Sequence, residues 1–196
     1  MSAQPVKKNK LIGLTGGIAT GKTTVSNYLE NKGYYVIDSD KIVNELMNTD
    51  EILNEMKKFH VVENNTINRK ALADIIFTDS KKREKINQII HPKVFNEIEK
   101  RITAYQDLKP IFIDMPLLIE TGYYKKVDAI LLVYTTKNIQ IERLMKRNNL
   151  NQKEAEIRLS AQMLIDEKRS YATHIIDNSG TIFELNEQID DYLKKV

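Results

Sequence analysis

Five short apolar runs interrupt an otherwise polar chain: LIGLT at 11–15, YYVID at 34–38, IFID at 111–114, AILLVY at 129–134 and HIID at 174–177. Most are continuously apolar rather than alternating, which is the pattern of strands covered on both faces. Between them the period lengthens to that of a helix. Val25, Tyr28 and Leu29 fall on one helical face, and Ile42, Val43, Leu46 and Met47 repeat the spacing after the second run. Strands alternating with helices predict an α/β fold, a parallel sheet flanked by helices and joined by right-handed crossovers.

Two stretches depart from simple alternation. Residues 45–108, which include KREKINQIIHPKVFNEIEKRITAY, read as helical throughout. Residues 138–170 read as a charged helical pair, NIQIERLMKR and QKEAEIRLSAQM, joined by the turn NNLN. Asn151 with Glu154 has the spacing of a capping box at the second start. The expected organisation is one chain with a core formed by 10–44, 109–137 and 171–196. The first departure, 45–108, is large enough for a substrate-binding insertion, and the second, 138–170, suits a mobile lid. No internal repeat or low-complexity tract is present.

Composition narrows the function classes. The 196 residues are 41% hydrophobic and 29% charged, which is globular, and the net charge of only +3 argues against a nucleic-acid binder. Cysteine is absent, and His60, His91 and His174 lack the spacing of a zinc helix. The start MSAQPVKKNK is polar and has no apolar segment of the secretory kind. The longest apolar run, AILLVY, is too short to cross a membrane. A cytoplasmic protein with no membrane partner is expected.

Candidate chemistry begins at GLTGGIATGKTTV, residues 13–25. Gly16 through Thr23 satisfy G-x-x-x-x-G-K-[ST], the Walker A pattern, placed between an apolar strand and an amphipathic helix. Such glycines let backbone N–H groups turn inward around phosphate oxygens, and the helix adds its positive end. The candidate cradle is Gly17, Ile18, Ala19, Thr20, Gly21, Lys22, Thr23 and Thr24. Lys22 can reach the β- and γ-phosphates of a nucleoside triphosphate, and the Thr23 hydroxyl can ligate Mg²⁺. The plainer alternative is a tight strand–helix turn with a surface lysine. The motif names a nucleotide site only, since motors, switches and kinases all share it.

Carboxylates separate these options. In an extended VIDSD, Asp38 and Asp40 would lie on one side, roughly 6–7 Å apart. Both fall at the carboxyl end of the second strand, where doubly wound sheets bind ligands. One can hold the metal's water shell and the other can accept a proton from an attacking hydroxyl. Alternatively, Ser39 or Asp40 caps a helix beginning near Lys41. IFIDMPLLIE supplies Asp114, the Walker B type of acid, which could orient a metal-bound water; it could equally fix the following loop, and Glu120 is a weaker candidate. Arg143 and Arg147, four apart on the charged helix, suit transferring phosphoryl groups, although basic helix faces are commonly just solvated. DNSG at 177–180 fits D-x-x-G, but it follows the last strand and no N-K-x-D guanine reader is present, so a GTPase switch is disfavoured.

With these residues in view, the chain resembles the dephospho-CoA kinase family from about residue 10 to about residue 180. The resemblance rests on GLTGGIATGKTTV, VIDSD, INRKALADIIF, IIHPKV, DMPLLIE, RLMKRN, RLSAQM and IIDNSG, in family order. Ala19 and Thr20 stand where Gly-Ser is usual, Thr23 replaces Ser, and Ser39 replaces an alanine. The resemblance implies a three-layer P-loop kinase fold with a five-stranded sheet of order 2-3-1-4-5, a helical acceptor domain and a lid. It also implies transfer of the ATP γ-phosphoryl group to the ribose 3′-hydroxyl of dephospho-CoA. Asp40 would then be the base and Arg143 the lid group on the phosphates, with Arg147 beside it. Thr15 and Asp38 would line the acceptor and metal region, with Asp114 acting on the metal through water. Arg69, His91 and Leu117 would serve the acceptor side, and Asn178 the adenine pocket. ATP and dephospho-CoA would be the only partners of a monomer. Another small-molecule kinase, or a nucleotide-dependent binding protein without catalysis, stays open as an alternative.

Overall fold

The computed structural model describes residues 9–196. The polar start at 1–8, on which the absence of a secretory segment was read, lies outside the described residues. The chain runs through β1 (Leu11–Gly16), α1 (Lys22–Asn31), β2 (Tyr35–Asp38), α2 (Ser39–Leu46) and α3 (Asp50–Met56). A short pair, β3 (Val62–Glu63) and β4 (Thr66–Ile67), precedes α4 (Arg69–Thr78) and α5 (Ser80–Ala104). Then come β5 (Ile111–Asp114), β6 (Ala129–Tyr134), α6 (Lys137–Asn148) and α7 (Gln152–Leu159). The last elements are α8 (Ile165–Lys168), β7 (His174–Asp177) and α9 (Ile182–Leu193). Two compact units result: one takes the chain up to Ile37 and again from Gln106, and the other is Asp38–Tyr105.

The first unit is built on a five-stranded sheet of order β2-β5-β1-β6-β7. Counting sheet strands alone, this is 2-3-1-4-5, as the resemblance implies. β1 pairs in parallel with β5 on one side and β6 on the other, and β6 pairs in parallel with β7. All six residues of β1 are buried, which explains why its sequence is an unbroken apolar run rather than an alternation. The chain leaves β1 toward the β2 edge and the adjacent β6 toward the β7 edge, so the carboxyl ends of β1 and β6 flank the switch point at which such sheets bind ligands. The core joins Ile12, Leu14, Phe112, Leu131 and Val133 of the sheet to Val25 and Leu29 of α1 and Leu185 and Ile189 of α9. Truncating such a side chain to alanine costs about 2–5 kcal/mol.

The second unit is mostly helical. Ile86, Ile90, Val94 and Ile98 are the buried residues of α5 and recur every four positions, so they make one stripe. The helix continues through Pro92, which forfeits one backbone bond. Asn68 caps α4 by accepting from the Ala71 N–H at 3.0 Å, and Asp79 caps α5 by accepting from the Lys82 N–H at 2.9 Å. The expectation of helix throughout 45–108 is corrected at 62–67, where β3 and β4 form an antiparallel hairpin. Its two loop residues, Asn64 and Asn65, have φ of 47° and 57°. Asparagine tolerates this left-handed geometry, and two such residues in succession make a tight hairpin turn.

Among the described residues, no helix is long and apolar enough to cross a membrane.

Candidate functional site

The chain leaves β1 at Gly16 and must re-enter a helix at Lys22. Between them Thr20 closes a turn on itself: its N–H and its hydroxyl both donate to the Gly17 carbonyl, at 3.3 and 2.9 Å. Gly21 has φ of 91°, and a Cβ there would run into the side-chain nitrogen of Asn178. Both facts require glycine. Ala19 also takes a positive φ, 61°, and packs with Ile18 against Leu144, Ala155 and Leu159 of α6 and α7. Its place in the loop thus comes from packing that offsets about 1–2 kcal/mol of left-handed strain.

Two of the loop's carbonyls are tied from other elements. Gln140 of α6, 1% exposed, donates Nε2 to the Ile18 carbonyl at 2.6 Å. Asn178, just after β7, donates Nδ2 to the Thr20 carbonyl at 2.8 Å. Arg143 of α6 in turn donates Nη2 to the Asn178 carbonyl at 2.8 Å. With those carbonyls engaged, the loop amides other than those of Thr20 and Thr24, which donate to the Gly17 and Gly21 carbonyls, can face an anion. No side chain caps α1 and no acid stands in its first turn, so the positive helix end serves the same purpose.

Lys22 does not stand alone at the head of α1. Its ammonium forms an ion pair with Asp114 at the end of β5, the side chains being 14% and 2% exposed. The ammonium has three hydrogens, so it can keep this partner and still donate to phosphate oxygens. Thr15, fully buried, donates its hydroxyl to the Pro116 carbonyl at 3.1 Å. Leu117 is half-buried, and its carbonyl accepts from the Thr121 N–H at 3.0 Å and hydroxyl at 2.8 Å. Arg147 is exposed and donates Nε to the Asn148 side chain at 3.0 Å. The structure therefore links Gly17 to Lys22, Arg143 of α6, Asn178 and Asp114 around the carboxyl ends of β1, β5 and β7, and leaves Arg147 outside that set.

Two residues missed by sequence reasoning belong with them. Gln140 precedes Arg143 and Arg147 by three and seven positions, the same helical face, which was the signal available. Lys168 is wholly buried at the end of α8 and pairs with Glu120 at 2.9 Å. Burial holds its ammonium below the usual lysine range, and the charge of Lys22 adds to the depression against the opposing pull of Glu120.

Within the second unit, the extended geometry expected for Asp38 and Asp40 is corrected. α2 begins at Ser39, so Asp40 lies in the first helical turn rather than two steps along a strand. Asp38 is the cap in place of Ser39 or Asp40: its Oδ1 accepts from the N–H groups of Asp40 and Lys41 at 2.8 and 3.0 Å. A carboxylate at a helix start has its strongest local partners there, which sequence spacing cannot show. Arg69 opens α4, exposed, in a first turn that carries no acid. His91 is half-buried and stacks on Phe95 with ring centroids 6.0 Å apart. Burial depresses its basicity, so its neutral form is favoured.

Within the first unit, the oxygen donors a metal could use are the exposed Thr23 hydroxyl in the first turn of α1 and the Asp114 carboxylate at the end of β5. Among the described residues, no cluster of three or more histidine, cysteine or acidic side chains could hold an ion alone. Hard oxygen donors without a complete protein cage fit Mg²⁺, which keeps waters and takes phosphate oxygens.

The dephospho-CoA kinase family model matches residues 10–184. A dephospho-CoA kinase of Lactobacillus johnsonii is 37% identical over 192 residues, covering 94% of this chain and 97% of that one. Among solved structures, TT1252 from Thermus thermophilus superposes with a TM-score of 0.84 at 29% identity, covering 97% and 99% of the two chains. The dephospho-CoA kinase from Campylobacter jejuni superposes with a TM-score of 0.71 at 26% identity, covering 94% and 96%. A phosphate loop tied through its carbonyls to Gln140 and Asn178, on a sheet of this order and with likeness along nearly the whole chain, has one consistent reading: the chain belongs to the dephospho-CoA kinase family.

Proposed function

We propose that this protein transfers the γ-phosphoryl group of ATP to the ribose 3′-hydroxyl of dephospho-CoA, yielding ADP and CoA, the final step of coenzyme A biosynthesis. The observation that carries the proposal is the family match over residues 10–184, which includes the phosphate loop. The residue assignments rest on chemistry and on the resemblance of motifs.

The loop residues from Gly17 to Thr24 bind the β- and γ-phosphates through the amides that do not already donate to the Gly17 and Gly21 carbonyls, and Lys22 neutralises charge on them while keeping Asp114 as its partner. Arg143 supplies a planar cation to the transferring group, with Arg147 in an outer role. Asn178 borders the adenine. Asp40 accepts the proton of the 3′-hydroxyl as its oxygen forms a bond to the γ-phosphorus. The bond from that phosphorus to the bridging oxygen breaks, and its electron pair leaves with ADP. Asp38, Thr15, Leu117, Arg69 and His91 serve the acceptor, with His91 in a hydrogen-bonding rather than a proton-transfer role. Mg²⁺, held through Thr23 and through water by Asp38 and Asp114, would offset the charge of the β- and γ-phosphates. Positioning and charge neutralisation dominate such reactions. We place the enzyme in the cytoplasm, acting as a monomer.

Asp40→Asn tests the assignment. Turnover should fall by about 10²–10⁴-fold, the range for loss of a general base, while ATP affinity by calorimetry stays near wild type. Turnover within a few-fold of wild type would remove Asp40 from the role. In a panel of acceptors with labelled ATP, better phosphorylation of a nucleoside monophosphate than of dephospho-CoA would overturn the substrate.

A further inference from the structure

Lys168 is a charged side chain with no exposed surface, and none of the roles above uses it. Its ammonium donates to the Pro116 carbonyl at 2.6 Å and to Glu120 Oε2 at 3.1 Å. The same Pro116 carbonyl receives the Thr15 hydroxyl at 3.1 Å, and Glu120 Oε1 receives the Met163 N–H at 3.1 Å. One ammonium thus joins three segments: the end of β1 just ahead of the phosphate loop, the turn that follows Asp114, and the stretch from Met163 to α8.

A fully buried lysine is an expensive way to fasten a turn, because an apolar residue of similar volume commonly does as well or better. What the ammonium adds is direction. It fixes one carbonyl, that of Pro116, which lies two residues after the carboxylate paired with Lys22. Rotation of that turn would carry Asp114, and with it the lysine that meets the phosphates. Outer partners that orient a functional group in this way have effects on rate out of proportion to their effects on binding.

We propose that Lys168, clamped between the Pro116 carbonyl and Glu120, is a positioning residue that sets the Asp114–Lys22 pair at the phosphate loop for phosphoryl transfer. The proposal rests on the kinase reading given above. It goes beyond that reading by assigning a role to a residue that touches neither substrate.

The test compares wild type, Lys168→Met and Glu120→Gln in the full-length chain. It measures kcat and KM with ATP and dephospho-CoA, ATP affinity by calorimetry, and the thermal midpoint. Expected is a kcat lower by about 30-fold for Lys168→Met and about 3–10-fold for Glu120→Gln, with ATP affinity within about threefold of wild type. Rates are taken per folded molecule, so a purely structural role would leave kcat unmoved and shift only the midpoint. An unchanged kcat in the folded variants overturns the proposal, as does a loss confined to ATP affinity. If Lys168→Met fails to fold, Glu120→Gln decides, since glutamine keeps the shape and the acceptor for Met163. If wild type does not phosphorylate dephospho-CoA, the functional reading falls by itself. The same criteria are then applied to the ATP hydrolysis rates of the three proteins.

Discussion

In the sheet-bearing unit, polar side chains hold the site from far along the chain. Gln140 fixes a carbonyl 122 positions away, Asn178 one 158 away, and Lys168 one 52 away. In the helical unit the corresponding bonds are local. Asp38, Asn68 and Asp79 each cap the helix that follows within three residues. Its distant pairs, Arg101 with Glu45 and Lys93 with Glu51, each include a well-exposed carboxylate. Local caps define where helices begin, whereas long-range bonds to buried carbonyls define where individual atoms sit. Substitutions at these long-range ties should therefore cut catalysis while sparing the fold, and substitutions in the second unit away from Asp38, Asp40 and the other acceptor-side residues should mainly trim stability.

The largest effect expected on ATP affinity is at Gly21. Gly21→Ala meets a left-handed φ of 91° and the side chain of Asn178 together. ATP affinity should fall on the order of 100-fold, equivalent to about 2.7 kcal/mol, because relief of either conflict turns the loop amides. Calorimetry with a non-hydrolysable ATP analogue measures this. Binding within threefold of wild type would mean that the Asn178 tie is slack, and the contrast between the units would lose its main support.

The same distinction governs what could be read before the structure. The strands were legible because buried parallel strands have a continuous apolar pattern, and the phosphate loop because its glycines, lysine and threonine are neighbours in sequence; the order of the strands came only with the family resemblance. The 62–67 hairpin was not, since two asparagines carry a turn that helical periodicity on either side obscures. Asp38 was recognised as a candidate, but its capping geometry was not, because strand spacing says nothing about where the next helix starts. Gln140 and Lys168 were missed for a third reason. Each acts through a partner far away in sequence, and a lone glutamine or lysine on a charged helix looks solvated until its burial is known.

An intermediate effect separates Gln140 from Arg147, two residues on one helix. Gln140→Leu leaves the part-buried Ile18 carbonyl without its donor, a change worth about 1–3 kcal/mol. The KM for ATP should rise about 5–30-fold, with α6 intact by circular dichroism. Arg147→Ala should change it less than about threefold, because an exposed side chain bonded to its own neighbour contributes little. Equal losses in both variants would show that lid charge, rather than the fixed carbonyl, controls the nucleotide.

The smallest effect belongs to the helical unit and concerns acid. Burial lowers the pKa of His91 below its ordinary 6.5, so the unfolded chain takes up a proton at higher pH than the folded one. Stability is then complete above about pH 6.5 and declines as pH falls toward the depressed native value. Below that value both states are charged and the loss levels off. A single group differs by less than one proton, so its slope stays under about 1.4 kcal/mol per pH unit. Urea unfolding of wild type and His91→Gln between pH 5 and pH 7.5 isolates this slope, which should be shallower in the variant. The rate of ATP hydrolysis without acceptor should keep the same pH profile in both proteins, since His91 is assigned to packing and the acceptor side. A profile that moves with His91 would tie this helix to the phosphates and erase the division of labour between the two units.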